Sequence, residues 1–273
     1  MNFKIFDAHT HAFPDDLAFR TITHLSETSG NLSYHHNGTI GGLREYESKG
    51  GASGFLLLPI ATKPSQTRSV NFWAAQQGGN GCIAFGSIHP DSGNIKGDLD
   101  FVQSLGLPGL KLHPEYQEFF VDEKRMFPIY EDIFNRGLSI VFHAGDDLGF
   151  KPPFRGGPDR IARVAKAFPH GKIVAAHMGG YRQYDMVFEN LCGLRNVWLD
   201  TSFAAREMER ELFVKMVKAH GADRVLFATD APWAEFESSL KAVTDSGLSE
   251  NEIKMILWDN AVELWGLFQV AQK

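Results

Sequence analysis

The sequence predicts an α/β protein, a single (β/α)8 TIM barrel over residues 1–273. Three observations lead there. Eight short apolar runs, punctuated by Gly or Pro, recur along the chain. Their starts mostly lie about thirty residues apart, the length of a βαβ unit. Helical stretches with one apolar face fall between them. Eight such units fit a closed barrel. A doubly wound open sheet fits less well, because its Gly-rich phosphate fingerprint is missing.

The strands are expected at 3–11, 54–60, 82–89, 107–113, 138–143, 172–177, 196–202 and 224–230. Runs such as IVFHAG and KIVAAH are almost continuously apolar, as parallel strands buried on both faces are. A helix at 158–168 sets Ile161, Val164, Ala165 and Phe168 on one face, and Pro169 with Gly171 ends it. Met208, Leu212, Phe213, Met216 and Val217 make a second apolar face, terminated by Gly221. Ile253, Ile256, Leu257 and Ala261 mark a helix near the C-terminus. The first connection, 10–50, is the longest. Its stretch NLSYHHNGTIGGL is expected to roof the active face, with His35 and His36 within reach of substrate.

Composition narrows the function. Of 273 residues, 27 are Lys or Arg and 33 are Asp or Glu, a net charge of -6. Nucleic acids and anionic membranes select clustered positive charge, so neither is an expected partner. At 43% hydrophobic and 22% charged the chain is expected to be globular. The run 55–61 is too short to span a bilayer. Lys4 and Asp7 interrupt the first apolar run, which argues against a signal peptide and for the cytoplasm. Cys82 and Cys192 lie far apart and are expected to be free, buried thiols.

The count that stands out is 11 His. His9, His11, His89, His113, His143 and His177 fall at or near the C-terminal ends of the expected strands, and Asp230 ends the eighth. Barrel enzymes build their sites at that face. One strand-end His is usually a satisfied core residue; six together point to chemistry. His9 and His11 form an H-x-H pair, and residues i and i+2 of a strand share a face. Two imidazoles then converge on one ion and leave positions open for water and substrate. His143 and His177 add nitrogen ligands from neighbouring strands, and Asp230 adds a carboxylate. That donor set suits Zn²⁺ first, with Mn²⁺, Fe²⁺ or Co²⁺ also accepted. Lys111 shares its face with His113, which could touch substrate, or a metal if the lysine does not. Lys151 and Arg155, in GFKPPFRGGP, could hold a substrate carboxylate, Arg155 in bidentate fashion. Tyr116 and Gln117 could line the pocket. Trp233, Phe119 and Phe150 read as packing.

In this order, DAHTH at 7–11, GLKLHP at 109–114, FHAG at 142–145, AHMGG at 176–180, TDAPW at 229–233 and DNAVELWGL at 259–267 resemble the amidohydrolase superfamily. The branch with AHMGG and a short chain is similar to the amidohydrolase-related group of hydrolases, lactonases and metal-dependent decarboxylases or hydratases. The resemblance implies one metal on His9, His11 and Asp230, with His143 on that ion or on a second. His177 would ligate a second ion or stand beside a single one as a catalytic residue. GLKLHP resembles the segment in which a carboxylated lysine bridges two metals, so Lys111 is either that bridge or a plain lysine. Burial near cations would supply the neutral amine that carboxylation needs.

The expected activity is hydrolysis of an amide or lactone bond in a small, anionic molecule. Asp230 would take a proton from the attacking water, and His177 would help stabilise the oxyanion. A non-oxidative decarboxylase or hydratase on a small unsaturated carboxylate is the alternative. An inactive metal- or ligand-binding barrel is the third reading. A homo-oligomer is compatible with all three.

Overall fold

Residues 3–267 are described by the computed structural model, so the ends of the expected domain, 1–2 and 268–273, lie outside it. The chain runs β1 (Phe6–Thr10), α1 (Asp15–Thr28), α2 (Ile40–Gly50), β2 (Gly54–Leu57), α3 (Thr67–Gln77), β3 (Cys82–Ala84) and α4 (Ile95–Ser104). It continues through β4 (Gly109–Leu112), α5 (Phe127–Asn135), β5 (Ser139–Phe142), α6 (Pro158–Ala167), β6 (Lys172–Ala175), α7 (Tyr184–Asn190) and β7 (Val197–Asp200). It closes with α8 (Arg210–His220), β8 (Val225–Leu226), α9 (Phe236–Thr244), α10 (Glu250–Lys254) and α11 (Asn260–Trp265). One π-helical turn, Met255–Asp259, joins the last two helices.

All ladders are parallel, β1-β2-β3 in one set and β4 to β8 in the other. Two short seams complete the ring. Gly86 N donates to Gly109 O and Lys111 N to Gly86 O, each at 2.8 Å. Ala8 N donates to Phe227 O at 2.9 Å, and Asp230 N to His9 O at 2.9 Å. The result is the expected closed barrel.

Two apolar layers hold it. Phe6, Ala8, Leu56, Phe85, Val141, Val174 and Leu226 fill the interior. Trp265 closes its floor, with ring centroids 6.0 Å from Phe6 and 5.7 Å from Phe85. Full burial of a Phe side chain stabilises by about 1.5–3 kcal/mol. The second layer lies between strands and helices. There Ile161, Val164 and Ala165 of α6 are buried with Phe168 packed beside them, and Phe213, Met216 and Val217 of α8 are buried while Leu212 is half-buried.

Several expectations are corrected. The regular strands are shorter than the apolar runs, and β8 has only two residues. His11, His113, His143, His177 and Asp230 therefore sit just past their strands, where the chain turns over the barrel mouth. The 10–50 segment is mostly α1 and α2, which leaves a loop over 29–39. Its three glycines conceal α2 from a sequence reading, but Thr39 caps that helix by accepting from Gly42 N at 3.0 Å. Both cysteines are free, and Cys192 is only half-buried. No helix among the described residues is long and apolar enough to cross a membrane.

One irregularity in β1 positions the site. Phe6 pairs with Gly54, Asp7 with Phe55, and Thr10 with Leu57, so β1 carries one extra residue between Asp7 and Thr10. Strict alternation from Phe6 and Ala8, both in the interior, would point His9 outward. The bulge turns it inward.

Candidate metal centre

His9 and His11 reach the barrel mouth together, their ring centroids 5.1 Å apart. Each ring is fixed by its far nitrogen. His9 Nδ1 lies 2.8 Å from Asp200 Oδ2, and His11 Nδ1 lies 2.8 Å from Leu58 O. Carbonyl and carboxylate oxygens only accept, so both Nδ1 atoms carry the proton and both Nε2 atoms present lone pairs. The lone pairs face Asp230 Oδ1, at 3.5 Å from His9 and 3.2 Å from His11. Adjacent ligands of a tetrahedral ion with bonds near 2.05 Å are about 3.3 Å apart. The donor set therefore fits a divalent cation in both spacing and charge.

Asp230 is held in the left-handed region, φ 71°, by the turn after β8. Burial alone would raise its carboxyl, but the imidazoles of His11, His9 and His177 around it outweigh that and hold it below the usual range. It stays ionised. Burial, reinforced by Lys111, pushes His9 well below its ordinary value and keeps it neutral. Asp7, just upstream, ties the two sides together. It accepts from His9 N at 3.1 Å, Thr229 N at 3.0 Å and Thr229 Oγ1 at 2.5 Å. Burial lifts its carboxyl to about 7.

Lys111 is 1% exposed, and its Nζ lies 3.1 Å from His9 Nε2. Burial lowers its amine to about 8, against the pull of Asp200, Asp230 and Asp147. His177 begins a left-handed turn, φ 58°, and Met178 continues it at 55°. Its Nδ1 is 3.2 Å from Ser202 O and its Nε2 is 3.0 Å from His143 Nδ1. The other nitrogen of His143 points away from His9, to Asp146 O at 3.2 Å and Asp147 Oδ2 at 3.7 Å.

Asp200 and Asp147 were not singled out from the sequence. Asp200, at the end of β7, accepts from His9 and from the His177 backbone N at 3.0 Å. Its signal was a carboxylate closing the apolar run VWLD. A carboxylate behind a ligating His fixes the ring and raises its basicity; losing one costs about 10–100-fold in metal affinity. Asp200→Asn is therefore expected to weaken Zn²⁺ binding by that factor while the fold persists. Competition against a chromogenic chelator checks this, and unchanged affinity would remove the role.

Of the other expected site residues, His113 is buried beside His143, and Tyr116 packs edge-on against His113 at 4.5 Å. Phe150 packs on Tyr116 at 5.0 Å. Gln117 is a buried strut, donating to Ala61 O and Ile88 O and accepting from His113 N. The Arg155 guanidinium is already engaged by Glu115 Oε2 at 2.8 Å, and Lys151 is an exposed loop residue. His89 stays out of the cluster and accepts from Asp91 N in its own turn. His35 and His36 line a groove of about 600 Å³ with Tyr46, Glu235 and Phe236; none of its lining residues belongs to the donor set.

Comparison with known proteins accords with this architecture. No curated protein matches the sequence. An uncharacterised TIM-barrel protein from Bordetella bronchiseptica superposes with a TM-score of 0.78 at 17% identity, over 96% of this chain and 98% of that one. A dihydroxybenzoic acid decarboxylase from Polaromonas sp., solved with bound manganese and an inhibitor, gives 0.67 at 15% identity, over 97% and 98%. A protein from Pseudomonas putida described as a 2-pyrone-4,6-dicarboxylic acid hydrolase gives 0.66 at 17% identity, over 97% and 98%. The family profile described as Amidohydrolase matches residues 7–267, nearly the whole chain. The chain belongs to the amidohydrolase family.

Proposed function

We propose that the protein is a metal-dependent hydrolase that cleaves an amide or lactone bond in a small anionic molecule. One observation carries the reading. Two imidazole lone pairs and an ionised carboxylate face a common point at ligand spacing, beside a buried amine and a second imidazole pair. His9, His11 and Asp230 would hold the ion, and their two nitrogens and one oxygen suit Zn²⁺, with Mn²⁺ as the second choice. A divalent ion there supplies Lewis acidity: it acidifies water and polarises a substrate oxygen.

The chain's own groups do the rest. Asp230 accepts the proton of the attacking water and returns it to the leaving group. His177 Nε2 and His143 Nδ1, 3.0 Å apart, hold a proton between them that can be offered to the oxygen developing negative charge. His177 keeps its aim because Ser202 and Asp200 fix its other side.

A second reading is non-oxidative decarboxylation of a small carboxylate. His177 lies outside the His9–His11–Asp230 set and so is free for proton transfer to carbon, and the Polaromonas relative is named for such a reaction. The readings part in one experiment. The protein is loaded with Zn²⁺ or Mn²⁺ and offered a panel of carboxylated lactones and amides together with hydroxybenzoates, with acid release and CO₂ release followed in parallel. Hydrolysis gives acid without CO₂ and stops when a chelator is added. CO₂ from the hydroxybenzoates with no hydrolysis would overturn the first reading in favour of the second.

A further inference from the structure

We propose that the cleft holds a second divalent-cation site, built by His113, His143 and Asp147, which takes the anionic group of the substrate. The inference rests on the metal-dependent reading above. It places the second ion away from Lys111 and His177, the positions that a lysine-bridged pair would occupy.

Three observations carry it. The first is spacing. His113 Nε2 lies 3.3 Å and His143 Nε2 3.7 Å from the same oxygen, Asp147 Oδ2. The two rings stack at 4.3 Å with 19° between their planes. These separations approach the ligand–ligand edge of about 3.3 Å found around a tetrahedral zinc.

The second is burial. His113 is 6% exposed, His143 8%, and the Asp147 side chain 11%. Gly149 N donates to Oδ1 at 2.7 Å, which orients the carboxylate and leaves Oδ2 turned toward the imidazoles.

The third is how His143 is held. Its Nδ1 lies 3.0 Å from His177 Nε2, and His177 is anchored behind it, its Nδ1 2.9 Å from Ser202 Oγ and 3.2 Å from Ser202 O. The inner edge of the His143 ring is thereby occupied, and its Nε2 is left on the side of Asp147 Oδ2. One ring would join the two centres, facing His177 by one nitrogen and the second ion by the other.

The anion role follows from the basic residues nearby. Arg155, the side chain best shaped for a carboxylate, is paired with Glu115. Lys111 is turned to His9. A cation beside the Tyr116 and Phe150 rings would supply the positive charge that these two leave unavailable.

The test is a Zn²⁺ titration of the full chain after chelator treatment, with bound metal counted after gel filtration. Wild type is expected to hold two ions per chain. Asp147→Ala and His113→Ala should each hold one, His11→Ala one, and His11→Ala/Asp147→Ala none; circular dichroism establishes that each variant is folded. A single ion in wild type that His11→Ala removes and Asp147→Ala spares would overturn the second site alone. A single ion lost in Asp147→Ala but kept in His11→Ala would support the second site and remove the first centre. For the anion role, the visible spectrum of Co²⁺-loaded wild type should shift on adding acetate, and Asp147→Ala should show no shift. Two bound ions with no acetate shift in wild type would overturn that role.

Discussion

Asp230→Asn is expected to cut turnover by about 10³-fold, within the 10²–10⁴ range that a positioned acid–base group contributes. The amide keeps an oxygen toward His9 and His11, so an ion can still be held at raised concentration. It cannot take a proton. The separation of the two roles is measurable: metal content should recover as Zn²⁺ is raised, and turnover should not. Wild-type turnover at saturating metal would show that Asp230 is a ligand only.

Lys111→Met is expected to stabilise the chelator-treated protein. The amine has a folded value of about 8 against an ordinary value of 10.5. A depressed lysine means that the folded state binds the proton less tightly than the unfolded chain. Below about pH 8 both states are protonated and the full penalty of burying the ammonium is present. Between about 8 and 10.5 only the unfolded chain stays protonated, and stability climbs with pH. Above that window the penalty is gone. The difference corresponds to about 3 kcal/mol. Met fills much of the same volume without a charge, so the variant should unfold later in urea at pH 7 and lose most of its advantage by pH 10.5. A variant less stable than wild type at pH 7 would show that the contacts to Asp200, Asp230 and Asp147 outweigh desolvation.

The barrel was readable because its strands are buried on both faces, which leaves long apolar runs such as IVFHAG. Their true ends were not, because a residue that stops pairing at the barrel mouth can be as apolar as one that pairs. The H-x-H pair and Asp230 were readable as rare residue types at strand ends. Asp200 and Asp147 were not: a lone carboxylate after a strand resembles any loop or capping residue, and its partner His lies on another strand. Arg155 misled for the same reason. Its partner Glu115 is 40 residues away, and an ion pair between two loops leaves no local pattern. The extra residue in β1 was equally hidden. Alternation put His9 and His11 on one face but could not say that the face changes after Ala8.

That bulge lies against β2; the other edge of β1 meets β8, and this join has a consequence for the whole chain. His9 comes from the first strand and His11 from the residue that follows it, and Asp230 comes from the turn after the last. An ion on these three residues would act as a clasp between the two ends of the sequence, across a loop of more than two hundred residues. Until β8 docks on β1 the three donors do not form a site, so tight metal binding reports completed closure. Any ligand that binds only the folded state stabilises it in proportion to the logarithm of its concentration. For this barrel that added stability falls on the join between the two ends of the chain.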